Sequence, residues 1–183
     1  MGLDVRENVP LAPLTTLGVG GPARYYAQAH GEDDLRAALR HASQRGLPLL
    51  VLGGGSNVVL SDEGHPGLVV HLALRGLESR EKDGHVELVA AAGEPWDQLV
   101  AHAVSRGWAG LECLSGIPGL VGATPIQNVG AYGQEVCETI TAVVAIDRAT
   151  GERVRLSNPE CGFAYRMSRF KSGDAGRYVV VEV

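Results

Sequence analysis

The sequence predicts an α+β protein of two lobes, and three observations support this fold class. A β-α-β succession comes first, a helix flanked by two hairpins follows, and 25 glycines cluster at the ends of apolar segments instead of recurring periodically. The 183 residues suffice for one large domain or two small lobes. We place the first α/β lobe at residues 1–66 and the second at residues 67–183.

The first lobe is predicted from a change of hydrophobic period along the chain. Residues 24–29 alternate weakly and predict a strand. Residues 32–45 then carry apolar side chains at helical spacing, with acids in the first turn and Gly46 just past the end. A buried strand at 47–52 runs into three consecutive glycines. Further short strands are predicted at 58–60 and 68–72.

The second lobe begins with a hairpin, because Asp83-Gly84 is a strong two-residue turn signal between strands at 78–82 and 85–91. Pro95 then opens a helix that Gly107 ends. The apolar face of this helix is predicted to comprise Trp96, Leu99, Val100, Ala103 and Val104.

A second hairpin, at 140–147 and 153–156, turns at Thr150-Gly151, and a last strand is predicted from residue 178. The sequence ends at Val183, inside that strand, and strands are usually followed by their own turn. We therefore expect the second lobe to be cut off at its C-terminal end.

Composition and charge exclude several classes of protein. The net charge is −5 with mixed signs, so no basic stripe suggests nucleic acid, and no apolar run is long enough for a signal peptide or a membrane span. The three cysteines (Cys113, Cys137 and Cys161) form no CxxC pair, and the six histidines show no ligand spacing. We predict a cytoplasmic monomer with buried free thiols and no metal.

A first candidate site is the loop after the 47–52 strand. It comprises Gly53, Gly54, Gly55, Ser56, Asn57 and Val58. Consecutive glycines can aim several backbone N–H groups at one phosphate, and the serine and asparagine add donors. A Rossmann fingerprint would need glycine in place of Val58, and a Walker A loop would need a lysine. The alternative is a tight turn between buried strands, which needs fewer glycines.

Two later segments are weaker candidates when taken alone. Residues 114–133 are rich in small side chains that would let the backbone approach a flat ring, although a glycine-rich packing loop explains them equally well. Residues 161–171 carry cations and hydroxyls that suit an anionic substrate. An ordinary solvated basic segment is the favoured alternative there.

Together with residues 14–23, LTTLGVGGPA, these motifs resemble the UDP-N-acetylenolpyruvoylglucosamine reductase family from Leu14 to the last residue. The Gly-Gly-Gly-Ser-Asn loop is shared with the wider flavin superfamily of the vanillyl-alcohol-oxidase type, while the other two motifs are specific to the reductases. The resemblance implies a two-lobed FAD-binding domain of the vanillyl-alcohol-oxidase (PCMH) type that holds FAD between its lobes. The family's third, substrate lobe is absent from this chain.

The resemblance also implies roles for individual residues. It places the FAD diphosphate on residues 53–58. It places the flavin and ribityl chain along Ser115, Gly116, Ile117, Pro118, Gly119, Gly122, Ala123, Asn128, Gly130, Ala131 and Gly133. Substrate contacts fall on Gln127, Tyr132 and Tyr165, and the active-site arginine is Arg166. No histidine lies in either flavin-contact segment, which favours dissociable FAD over a covalent link.

The implied activity is the NADPH-driven, FAD-dependent reduction of UDP-N-acetylglucosamine enolpyruvate to UDP-N-acetylmuramate, a step of peptidoglycan synthesis that supports cell-wall biogenesis, cell shape and cell division. The family's proton-donating serine and late glutamate have no counterpart here, and neither Ser168 nor Glu182 is assigned to those roles. We therefore expect the 183-residue chain alone to be inactive. A non-catalytic FAD-binding module and another oxidoreductase of the superfamily remain alternatives.

Overall fold

The computed structural model describes residues 3–183, which fall into two compact units. The boundary lies between Leu74 and Arg75, whereas the sequence suggested a boundary at residue 66. The difference arises because the strand His65–Leu72 pairs with two strands of the first unit. Its backbone hydrogen bonds therefore hold it in that unit.

The first unit is built on a four-stranded mixed sheet. Its strands are β1 (Val5–Pro10), β2 (Pro22–Ala29), β3 (Leu49–Leu52) and β4 (His65–Leu72), in the spatial order β1-β2-β4-β3. β1 is antiparallel to β2, and β4 is parallel to both of its neighbours. Since β2 and β3 each run parallel to β4, a crossover connection must follow each of them.

The helix α1 (Glu32–Gln44) connects β2 to β3, as the apolar spacing predicts. Its buried residues are Leu35, Ala38, Leu39 and Ala42. Three acidic residues in the first turn face the positive end of the helix dipole, and Gly46 adopts a left-handed φ of 60° just beyond the end. The local signals and the packed face therefore agree.

Two elements of the first unit differ from the sequence expectation. Residues 58–60 form no strand. Val59 is largely exposed, whereas Val58 and Leu60, on either side of it, pack against the buried core of the first unit. β1 was not predicted because its residues are mostly polar and exposed. Pairing with β2, not burial of its own side chains, makes it a strand.

The second unit begins with the predicted hairpin of β5 (Leu77–Lys82) and β6 (His85–Ala90). Asp83 and Gly84 both have positive φ, 49° and 77°, as a type I′ turn requires. The helix α2 (Trp96–Ser105) follows, but Val104 is half exposed and does not belong to its buried face. The predicted apolar stripe was therefore one residue too wide.

Between α2 and the last sheet lie several 3-10 turns and a small ribbon of β7 (Gly130–Ala131) and β8 (Gln134–Glu135). The last sheet has three strands, and its central strand β9 (Ala142–Asp147) pairs with β10 (Arg153–Ser157) on one side and β11 (Tyr178–Glu182) on the other. All residues of β9 are buried, so it forms the centre of this unit's core. The second predicted hairpin, β9–β10, is confirmed.

Within residues 3–183, no helix combines the length and apolar composition needed to cross a bilayer. The same residues contain no group of three or more histidine, cysteine or acidic side chains placed to hold a metal ion.

Candidate functional site

The first candidate, which we call the phosphate loop, comprises residues 53–58 and begins where β3 ends at Leu52. Gly54 is exposed, whereas Gly55 is buried with a φ of 65°. A Cβ atom on Gly55 would lie 2.0 Å from the backbone oxygen of Leu14. Gly55 is therefore required by packing within the first unit, and Gly54 is the glycine whose position is open to a ligand.

The second candidate, residues 115–133, begins against helix α2. The Trp96 indole donates a hydrogen bond of 2.9 Å to the Leu114 carbonyl, which confirms Trp96 as a core residue. Asp97 accepts hydrogen bonds from the backbone N–H of Gly116 at 2.6 Å and from the Ser115 hydroxyl at 3.2 Å. Sequence reasoning missed Asp97, whose only signal was an acidic residue in the first turn of a helix.

Glycine occurs in this segment for different structural reasons at different positions. At Gly116 and Gly133, φ is 77° and 82°, and no described atom would lie within 4 Å of a Cβ added to either residue. At Gly122, by contrast, a Cβ would lie 2.5 Å from the Ala92 Cβ. Gly122 is thus a packing glycine, while Gly116 and Gly133 leave open space beside the backbone.

Asn128 was predicted to contact the cofactor, but its side chain is bound within the protein. The residue is fully buried, and its amide nitrogen donates to the Glu135 carboxylate at 2.9 Å and to the Ala164 carbonyl at 3.1 Å. Its amide oxygen accepts a hydrogen bond of 3.1 Å from the Cys137 N–H. The side chain therefore joins three segments and has little capacity left for a ligand.

Arg166 lies in a tight turn that Ala164 and Met167 close by mutual backbone hydrogen bonds of 3.0 Å. Its φ is 52°, a left-handed conformation uncommon for a side-chain-bearing residue, so the surrounding contacts must hold it. The guanidinium donates a 2.9 Å hydrogen bond to the Gly130 carbonyl. The structure thus brings together Arg166 and the β7–β8 ribbon, which are 36 residues apart in sequence.

Two exposed aromatic rings mark this region. Tyr165 is 81% exposed and Tyr132 is 90% exposed. The Arg166 guanidinium lies 5.9 Å from the centroid of the Tyr165 ring. Gln127, the remaining predicted substrate contact, is half-buried in the adjacent turn. Large exposed aromatic rings beside a cation suit binding of a partly apolar, anionic molecule.

The two other candidates for proton chemistry are occupied elsewhere. Ser168 is fully buried, and its hydroxyl donates to the Ile126 carbonyl at 2.5 Å. Glu182 forms an ion pair of 3.3 Å with Arg153. Both side chains therefore make contacts within the second unit.

The cysteines are free, but they differ in environment. Cys113 is exposed, Cys137 is half-buried and Cys161 is buried, so the expectation of buried thiols is wrong for Cys113. Burial raises the pKa of the Cys161 thiol to about 11. Burial, with the nearby Glu135 carboxylate, also raises the pKa of Cys137. A raised pKa keeps a thiol protonated, so neither of these two residues has the properties of a nucleophile.

Comparison with known proteins adds an independent finding. Residues 23–157 match the family described as FAD binding domain. The UDP-N-acetylenolpyruvoylglucosamine reductase of Streptomyces coelicolor is 54% identical over 177 residues, which cover 97% of this chain and 45% of that protein. The chain spans about half the length of the curated relatives it matches.

Solved structures agree with the sequence match. The UDP-N-acetylenolpyruvylglucosamine reductase of Thermus caldophilus has a TM-score of 0.77 and 31% identity, over all of this chain and 61% of that one. A vanillyl-alcohol-oxidase-type flavoprotein of Myceliophthora thermophila has a TM-score of 0.61 at 15% identity, over 87% of this chain and 31% of that one. The predicted fold class is confirmed.

Proposed function

Because the chain belongs to the FAD binding domain family, we propose that it binds FAD without a covalent link, with the diphosphate at the phosphate loop and the flavin along residues 115–133. The observation that carries this proposal is the extent of the family match, since residues 23–157 include both segments. The two segments share no sequence pattern with each other, so their joint presence is more specific than either one alone.

The phosphate loop fits a diphosphate. The strand β3 ends at Leu52, and the chain then turns through Gly53 and the exposed Gly54. Because glycine has no side chain, a phosphate can approach the backbone N–H groups of these two residues closely. Ser56 and Asn57 follow in the same turn and offer further polar groups. A run of successive backbone N–H groups in a turn is a common way in which the backbone binds phosphate without a lysine.

Residues 115–133 fit a flat ring. The open space beside Gly116 and Gly133 lets a planar group approach the backbone, and Pro118 and Ala123 are exposed in the same segment. Asp97 fixes the start of the segment, and the Asn128 side chain fixes its later part. A preorganised backbone of this kind lowers the entropic cost of binding a rigid ligand.

The complete protein is proposed to reduce UDP-N-acetylglucosamine enolpyruvate to UDP-N-acetylmuramate, acting as a monomer in the cytoplasm in cell-wall synthesis that supports cell shape and division. When bound and reduced by NADPH, FAD supplies the hydride for this reaction. The Arg166 guanidinium is proposed to face the enolpyruvyl carboxylate, where negative charge grows as hydride arrives. Tyr165, Tyr132 and Gln127 are proposed to contact the substrate. The Arg166 guanidinium is planar and always charged, so it stabilises the growing charge on the carboxylate better than a mobile ammonium would.

The FAD proposal is tested by reconstituting the purified chain with FAD and recording its flavin absorbance after gel filtration. We expect wild type to retain the cofactor and Gly54→Val to lose it, because a branched side chain would occupy the phosphate position. Gly173→Val is the control for a valine at an exposed glycine, because Gly173, like Gly54, is exposed without a positive φ, and no described atom lies within 4 Å of a Cβ added to it. Retention of stoichiometric FAD by Gly54→Val would exclude the diphosphate site.

The role of Arg166 is tested in a chimera in which this chain replaces the matching segment of the Streptomyces coelicolor relative. Arg166→Ala should slow oxidation of the flavin by the enolpyruvyl substrate about a hundredfold or more, because a donor to developing charge is lost. Arg166→Lys should lose less, and reduction by NADPH should be unchanged in both variants. Equal slowing of the two half-reactions in stopped-flow measurements would contradict the assignment.

A further inference from the structure

The phosphate loop rests on a segment of the chain that no role has yet explained. We call residues 14–21 the loop platform. The Thr16 N–H donates a 3.0 Å hydrogen bond to the Gly55 carbonyl. A Cβ on Gly55 would lie 2.0 Å from the Leu14 oxygen and 2.8 Å from the Thr15 Cα. The third glycine of the loop is therefore in direct backbone contact with the platform.

The platform also holds the chain that leaves the loop. The Gly21 N–H donates to the Ser61 carbonyl at 2.8 Å, and a Cβ on Gly20 would lie 2.8 Å from the Leu60 Cβ. The platform thus contacts the phosphate loop at Gly55 and its continuation at residues 60–62. Its own shape must therefore help to determine where the loop N–H groups point.

One side chain fixes that shape. Thr15 is 8% exposed, and its hydroxyl lies 3.1 Å from the Ala12 carbonyl and 3.0 Å from the Val19 carbonyl. It links the 3-10 turn of Ala12–Leu14, which overlaps the platform at Leu14, to Val19 in the platform's second half. Because the Thr15 side chain is buried, it acts on a ligand only through the platform backbone, which contacts Gly55 of the phosphate loop.

We propose that Thr15 is a positioning residue for the FAD diphosphate: its hydroxyl holds the platform in the shape that aligns the phosphate loop. This inference rests on the proposed binding of FAD. Without the hydroxyl, the link between residue 15 and the Val19 carbonyl is lost and the platform can relax, so the loop N–H groups are no longer held in the binding geometry.

The test compares threonine-to-valine changes at two matched positions. Thr15 and Thr139 both follow a 3-10 turn, and each hydroxyl lies near the carbonyl of the residue three positions earlier, at 3.1 and 3.2 Å. We expect Thr15→Val to raise the Kd for FAD about tenfold, which corresponds to the free energy of one hydrogen bond that would otherwise hold the platform in its binding shape. Thr139→Val and Thr15→Ser should bind FAD as wild type does.

The ³¹P spectrum of bound FAD separates positioning from general destabilisation. At saturating FAD, Thr15→Val should shift the diphosphate resonances from their wild-type positions, while Thr139→Val and Thr15→Ser should leave them unchanged. Wild-type resonances and affinity in Thr15→Val would overturn the inference. If Thr15→Val does not fold, Thr15→Ala takes its place, since it also removes the hydroxyl, and the same shift of the resonances is then required. Failure of the wild-type chain to bind FAD would instead overturn the proposed function.

Discussion

Asn128→Ala is expected to be among the most destabilising single changes in the second unit. It removes the acceptor of the Cys137 N–H, and it deprives the Glu135 carboxylate and the Ala164 carbonyl of one donor each, although the carbonyl keeps its hydrogen bond from the Met167 N–H. Each buried group left without a partner costs about 1–3 kcal/mol. Because Cys137 and Glu135 are half-buried and Ala164 is exposed, water replaces part of these hydrogen bonds. We expect a total loss of about 2–4 kcal/mol in the free energy of unfolding, of which about 1 kcal/mol comes from the left-handed backbone of residue 128.

The measurement is urea unfolding followed by tryptophan fluorescence, since both tryptophans lie in the second unit. In thermal unfolding followed by the same signal, a loss of this size should lower Tm by about 4–16 °C. Asn8→Ala is the matched control: Asn8 has the same left-handed backbone, with φ 54° against 47° for Asn128, but is exposed. Followed by circular dichroism, it should lose only the preference of asparagine for that conformation, about 1 kcal/mol. Equal losses in the two variants would show that the buried hydrogen bonds of Asn128 contribute nothing.

Three local features of the structure give further predictions: the packing at Gly55, the environments of two cysteines, and the pair of Asp147 and Arg177. Gly55→Ala should destabilise the first unit severely in thermal unfolding, since its Cβ would overlap backbone; a wild-type Tm would contradict this packing. At pH 8, iodoacetamide should label Cys113 and spare Cys161, whose pKa of about 11 keeps it protonated, as read by mass spectrometry. The Arg177 hydrogen bond lowers the pKa of Asp147 below 3.8, so its stabilisation is present above that pH and disappears as pH falls through the folded value. Arg177→Met should therefore lower the free energy of unfolding at pH 7 more than at pH 2.

The regular elements were largely predictable because their signals are local. The spacing of Leu35, Ala38, Leu39 and Ala42 predicted α1, and the Asp83-Gly84 turn predicted the first hairpin of the second unit. Each of these signals lies within a few residues of the element it specifies. β1 escaped prediction because its strand conformation depends on hydrogen bonds to β2 and not on its own side chains.

The candidate site was predictable as motifs but not as contacts. The glycine-rich segments and the Arg166 motif could be read directly from the sequence, and their order identified the resemblance. Sequence reasoning could not separate the glycines that face open space from Gly55 and Gly122. At these two positions a Cβ atom would clash with the Leu14 backbone or the Ala92 Cβ, so only glycine fits. Nor could sequence reasoning show that the Asn128 side chain makes its hydrogen bonds within the protein, which leaves the backbone of that residue for the proposed cofactor contact.

The sequence by itself thus determined most of the regular elements, where the glycine-rich segments lie and the class of the fold. Only the tertiary structure decided what each residue of those segments does. The reason is that a hydrogen bond or a steric contact depends on which atoms meet in space. Asn128 meets Ala164 across 36 residues, and Gly55 meets Leu14 from another part of its unit. No local pattern encodes such pairings, which the packing of whole elements fixes.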